Sequence, residues 1–244
     1  MKYLYYFIIL CTLIIIGLSV YKNYFTPEKT DSWNNQVSQP MQVVSAPVKK
    51  EYAIVTFGDS LTAGYGVDLK DSYPSILQEV LNKRFSEEDV KIKVINMGVS
   101  GETTSGGMER IDFVISQNPN LILLGVGAND MLRATPLSLT RNNLEAIVKR
   151  FNVAEIPIII LGMESQASNG ADYKKEFDAI YKNISKKYDL PLVPFFLKGV
   201  ALVPFLNIAD GIHPNRAGYE KIIDQNILPI LLPFLESDLD KKAL

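Results

Sequence analysis

Beyond residue 50, short apolar runs rich in β-branched residues alternate with stretches whose apolar positions recur at three- and four-residue spacing. Residues 53–57, 90–96, 121–126, 156–161 and 192–196 are the runs, and they predict five strands. Between them, residues 73–85 place Ile76, Leu77, Val80 and Leu81 at helical spacing. Further helices are predicted over 105–115, 139–151 and 172–188, with a last one after Pro214. Near-continuous apolar strands are buried on both faces, and strand-helix alternation pairs them in parallel. The predicted fold is a three-layer α/β/α sandwich on a five-stranded parallel sheet. Ligands bind such sheets beyond the carboxyl ends of the strands. Gly58-Asp59-Ser60, residues 96–101 and Gly127-Ala128-Asn129-Asp130 all fall at those ends.

The N-terminus has a different pattern. No charged residue interrupts Tyr3 to Tyr21, and Lys2 and Lys22 flank the run. As a helix it is roughly 28 Å long, close to the roughly 30 Å hydrocarbon core of a bilayer. Gly17, Leu18 and Ser19 make a poor cleavage site, so residues 1–22 read as an uncleaved signal anchor, with a cleaved signal peptide as the alternative. Residues 23–50 are polar, contain Pro27, Pro40 and Pro47, and show no apolar period, which predicts a flexible tether. The remaining 51–244 suit one domain. The slight excess of positive charge before the run points to a cytoplasmic N-terminus and an exported body, anchored at the inner membrane or released into the periplasm if the segment is cleaved.

Composition narrows the function. Lys and Arg number 25 against 27 Asp and Glu, with no concentrated basic face, so nucleic acid is not an expected partner. The one cysteine, Cys11, lies inside the apolar run, leaving the body without disulfides. One histidine and no carboxylate cluster leave metal catalysis unsupported. No Gly-x-Gly-x-x-Gly or phosphate-binding lysine motif is present, and no cofactor is expected.

The single histidine stands in Asp210-Gly211-Ile212-His213-Pro214-Asn215. Any imidazole chemistry must run through it. A serine hydroxyl is a weak nucleophile until a base takes its proton, and that base needs a carboxylate to fix its tautomer. Ser60, His213 and Asp210 are the residue types that chemistry requires. Each also has a plainer role open to it: Ser60 as a helix N-cap, His213 as a structural or capping histidine. Gly101 is either a loop glycine with positive φ or a backbone donor to an oxyanion, and Asn129 either a turn residue or a second donor. Ser60 lacks the Gly-x-Ser-x-Gly turn, which excludes the usual α/β-hydrolase elbow.

Taken together, Phe57 to Gly66, Asn96 to Thr103, Gly127 to Asp130 and Asp210 to Asn215 resemble the four blocks of the SGNH (GDSL) hydrolases, in the family's order. The resemblance covers residues 52–234 and is nearest to the bacterial periplasmic branch of lysophospholipases, thioesterases and arylesterases. It implies Ser60 as nucleophile, Asp210 and His213 completing a triad, and an oxyanion hole of the Ser60 amide, Gly101 and Asn129. A cleavable signal is usual in the soluble relatives, and the N-terminus here departs from that.

The expected activity is hydrolysis of medium- or long-chain esters and thioesters. Leu197, Val200, Leu202, Phe205 and Leu206, just before the Asp210 loop, are the expected acyl pocket, with residues 163–170 shaping access. A packed surface loop is the competing reading of 197–208. An O-acetyl esterase acting on envelope polysaccharide is the alternative enzyme, and a non-catalytic lipid-binding protein the alternative of another class.

Overall fold

A computed structural model describes residues 50–243. The expected membrane segment, residues 3–21, and nearly all of the tether lie outside them. Among the described residues no helix is long and apolar enough to cross a membrane.

Five parallel strands form one sheet: β1 (Lys50–Gly58), β2 (Val90–Gly98), β3 (Leu121–Gly125), β4 (Ile158–Leu161) and β5 (Leu192–Val193). Their order is β2-β1-β3-β4-β5, as expected for a doubly wound α/β fold. Ile54, Val55, Phe57 and Leu121 to Leu124 are buried, which explains why these strands read as continuous apolar runs rather than alternating ones.

The helices are α1 (Ser60–Ala63), α2 (Tyr73–Arg84), α3 (Thr104–Glu109), α4 (Ile111–Ile115), α5 (Ala128–Leu132), α6 (Leu137–Val153), α7 (Ala171–Tyr188), α8 (Arg216–Ile222) and α9 (Leu228–Ala243). A π-type turn, Ile223–Ile227, joins the last two. Helix α2 carries the chain from β1 out to β2 and packs with α8. All later crossovers run the other way across the sheet, so right-handed connections put α3, α4, α6 and α7 on the opposite face, where they pack on one another. Strand order reverses between β1 and β3, and a doubly wound sheet opens its ligand crevice at that point.

Besides the last helix, which the π-type turn divides, the fifth strand and the helix expected over 105–115 differ from the sequence expectation. The fifth strand ends at Val193: the next donor toward the end of β4 is supplied one residue out of register, by Phe196 N–H to the Gly162 carbonyl at 2.8 Å. The helix expected over 105–115 is broken at Arg110 (φ −112°, ψ 8°). There the Arg110 guanidinium turns back to bond the carbonyls of Met97 (2.7 Å) and Gly58 (3.3 Å) and the carboxylate of Glu102.

Candidate active site

The turn after β1 places the serine. Asp59, not Ser60, is the N-cap of α1: its carboxylate accepts the Leu61 amide at 3.0 Å. Ser60 is therefore the first helical residue, its hydroxyl is not consumed in capping, and its amide belongs to the set without an intrahelical acceptor. Burial pushes the Asp59 carboxyl up to about 7, helped by the charges of Glu102 and Asp130 and opposed by the Leu61 amide. Helix α1 sits directly on the end of β2. A Cβ at Gly98 would lie 2.1 Å from the Ala63 nitrogen, so only glycine lets helix and strand approach this closely.

Ser60 Oγ lies 2.8 Å from His213 Nε2, and His213 Nδ1 lies 2.6 Å from Asp210 Oδ2. The other carboxylate oxygen, Asp210 Oδ1, accepts the backbone amides of Ile212 (2.9 Å) and His213 (3.0 Å). Partial desolvation pushes the Asp210 carboxyl up, but those two amides and the imidazole outweigh it and hold it down at about 2. Asp210 is accordingly ionised across the range in which an esterase works.

The histidine loop is stapled at several points. Ile208 N–H donates to the His213 carbonyl at 2.9 Å, and Asn215 caps α8 by accepting the Gly218 amide at 3.0 Å. The Asn215 amide group donates in turn to the carbonyls of Phe205 and Asn207. Tyr65, from the turn after α1, lays its ring 4.8 Å from that of His213. Fixed on both sides, the imidazole bridges two segments 153 residues apart in sequence.

Gly101 and Asn129 line the same cavity as Ser60 and His213. Gly101 has φ +80° in a turn closed by Glu102 N–H to the Val99 carbonyl, a conformation that demands glycine. Asn129 lies in the first turn of α5. Its neighbour Asp130 is buried and ties α5 to α3, accepting the Thr104 amide (2.8 Å) and hydroxyl (2.6 Å). Sequence reasoning passed over Asp59, Glu102, Arg110 and Asp130. The three acids flank the named site residues directly, and burial is what separates them from ordinary loop charges.

The cavity encloses about 460 Å³ and is walled largely by apolar side chains. The expected pocket residues need correcting. Leu197 and Leu202 are on the wall; Val200, Phe205 and Leu206 are not. Val200 and Leu206 pack into the core, while Phe205 is 77% exposed. The buried Asn207 amide explains this: it donates to the carbonyls of Val200 and Val203, both at 2.8 Å, and coils the segment so that Val200 turns inward. The wall is completed by Leu61, Met131, Leu132, Met163, Phe195 and Ile212, and the 163–170 segment contributes residues 163 to 167. A larger cleft of about 880 Å³ lies at the other end of the sheet, around the first residues of β1 and β2, remote from the serine. Among the described residues, no group of three or more His, Cys, Asp or Glu side chains is placed to hold a metal ion.

The model of the GDSL-like Lipase/Acylhydrolase family matches residues 56–221, a span that contains Ser60, Gly101, Asn129, Asp210 and His213. Esterase TesA of Pseudomonas aeruginosa is 30% identical over 183 residues, covering 75% of this chain and 89% of the relative. Thioesterase 1/protease 1/lysophospholipase L1 of Escherichia coli is 32% identical over 172 residues, covering 70% and 79%. Among solved structures, AlinE4, an SGNH-hydrolase family esterase, is 37% identical with a TM-score of 0.61, covering 80% of this chain and 97% of that one. The chain belongs to the GDSL-like lipase/acylhydrolase family, the SGNH hydrolases, and is a hydrolase acting on ester bonds.

Proposed function

We propose that the protein is a serine esterase for medium- and long-chain carboxylic esters and thioesters, such as lysophospholipids, acyl thioesters or aryl esters. The observation that carries the reading is the hydrogen-bonded line Ser60–His213–Asp210 opening into an apolar cavity. His213 Nε2 takes the Ser60 proton as Oγ attacks the acyl carbonyl. The amides of Ser60 and Gly101 and the side chain of Asn129 donate to the tetrahedral oxyanion. His213 then protonates the leaving group, and the acyl chain remains on Ser60. Water activated by the same imidazole releases the acid. Asp210 keeps Nδ1 protonated throughout and stabilises the imidazolium.

The cavity wall sets the acyl preference. Each methylene buried there adds about 0.8 kcal/mol of potential binding, and tenfold in rate needs only about 1.4 kcal/mol. Chains of six to ten carbons are therefore expected to exceed acetate by at least roughly tenfold in kcat/KM, even if only part of the binding reaches the transition state. A series of p-nitrophenyl esters from two to sixteen carbons checks this. A profile peaking at acetate would replace the lipid-ester reading with O-acetyl esterase action on a polysaccharide.

Residues 51–244 form the catalytic domain in this reading, and residues 3–21 hold it at the inner membrane with the site on the periplasmic side. The charge-free run and its poor cleavage site support the anchor. Full-length chain in the membrane fraction, extractable by detergent but not by salt, is the expected result. Soluble protein lacking its first residues would make the segment a cleaved signal peptide instead.

A further inference from the structure

We infer that Arg133 is a positioning residue for the oxyanion hole, bracing the Gly101 turn against the helix that carries Asn129. The inference rests on the reading of Gly101 and Asn129 as oxyanion donors, and it adds a residue that this reading leaves without a task.

The two donors come from different crossovers, Gly101 from the connection after β2 and Asn129 from the connection after β3. Their separation depends on what ties the two segments together. One tie is buried: Asp130 accepts both the amide and the hydroxyl of Thr104. That tie fixes the start of α3 but lies three residues beyond Gly101. The second is Arg133, whose Nη2 donates to the Gly101 carbonyl at 2.8 Å. Its own amide donates to the Asn129 carbonyl at 3.0 Å as it ends α5. One residue thus holds both donor-bearing residues through their carbonyls.

Gly101 needs such a brace. Glycine has the widest conformational freedom of any residue, and this one stands at the rim of the cavity. The far side of its turn is already fixed, because the Glu102 carboxylate pairs with Arg110, and Arg110 in turn holds Met97 and Gly58. Arg110 lies mostly inside the protein and its loss would disturb the sheet ends. Arg133 is exposed and its guanidinium bonds the Gly101 carbonyl in a turn outside the strands, so it can be varied without that damage. A donor displaced by a fraction of an ångström loses much of its transition-state interaction, while ground-state binding, which the acyl cavity supplies, is untouched.

The test uses the full-length protein and a neutral p-nitrophenyl octanoate substrate. Removing an oxyanion donor outright typically costs 10²–10³ in rate, so misplacing one is expected to cost roughly tenfold. Arg133→Ala should lower kcat about tenfold, leave KM within about twofold, and leave the melting temperature unchanged. An alkyl boronic acid, whose adduct on Ser60 carries a tetrahedral oxyanion, should bind about tenfold more weakly. Arg133→Lys, which keeps one donor for the Gly101 carbonyl, should recover most of the lost kcat. An unchanged kcat in Arg133→Ala would overturn the inference, as would a change confined to KM, which would make Arg133 a substrate contact. Failure of the donor reading is seen separately: near wild-type kcat in Asn129→Ala would remove Asn129 from the oxyanion hole, whereas an impaired Asn129→Ala beside an unchanged Arg133→Ala overturns only the brace.

Discussion

Ser60→Ala is expected to fold, to melt within a few degrees of the parent, and to lose at least about 10⁴-fold in kcat. The size follows from the chain of contacts. Ser60 Oγ is the atom that meets His213 Nε2 at 2.8 Å, and the same cavity wall has no second hydroxyl within a hydrogen bond of that imidazole among the described residues. Without the oxygen no acyl-enzyme forms, and water must attack unaided by covalent catalysis. What survives is the rate supplied by the oxyanion donors and by substrate binding. Stability changes little because one hydrogen bond at a partly exposed position is worth about 1 kcal/mol, or roughly 2–4 °C for a domain of this size. Circular dichroism melting establishes the fold, and steady-state turnover with labelling by a fluorophosphonate probe establishes the loss. Near wild-type turnover in the folded variant would end the serine mechanism.

Most of the fold, and the residues that the structure brings together at the candidate site, were legible in the sequence because both are written locally. Five buried strands announce themselves as apolar runs, and their alternation with helices gives parallel pairing, while their order in the sheet had to come from the structure. The site residues fall at three strand ends and in one short loop, and Asp210 reaches His213 within three residues. What could not be read were features set by tertiary contacts. The apolar run 192–196 does not show where pairing with β4 ends, because the slip from Val193 to Phe196 at the Gly162 carbonyl is visible only in the folded sheet. The break at Arg110 depends on carbonyls of β1 and β2 that only the folded sheet brings within reach. The acyl wall was the least legible. Leu197, Val200, Leu202, Phe205 and Leu206 are equally apolar, and the coil imposed by Asn207 decides which of them face the cavity. Likewise Ser60 and Asp59 are both good N-caps, and only the observed Leu61 amide bond assigns the cap to Asp59 and leaves the serine hydroxyl to the histidine.

Asp210→Asn should cost about 10³–10⁴ in kcat/KM, and more than Asp210→Ala. The reason lies in the second carboxylate oxygen. Asp210 Oδ1 accepts two backbone amides, from Ile212 and His213, and those groups can only donate. An asparagine at this position must give them its single carbonyl oxygen, which turns its NH₂ group toward His213 Nδ1. Nδ1 is then forced to accept, and the imidazole proton moves to Nε2, facing Ser60 Oγ. In that tautomer His213 cannot take the serine proton. The loss corresponds to roughly 4–5.5 kcal/mol of transition-state stabilisation. Alanine removes the charge but imposes no tautomer. The Asp210 side chain is 32% exposed, so water can enter and accept from Nδ1. The alanine variant thus keeps the productive tautomer in part of the population and should be the faster of the two. Turnover of both variants against p-nitrophenyl octanoate, with ¹⁵N NMR of the one histidine reporting its tautomer, checks the ordering. An asparagine variant at wild-type speed, or one with Nδ1 still protonated, would overturn the proposed role of Asp210 as the carboxylate that orients His213.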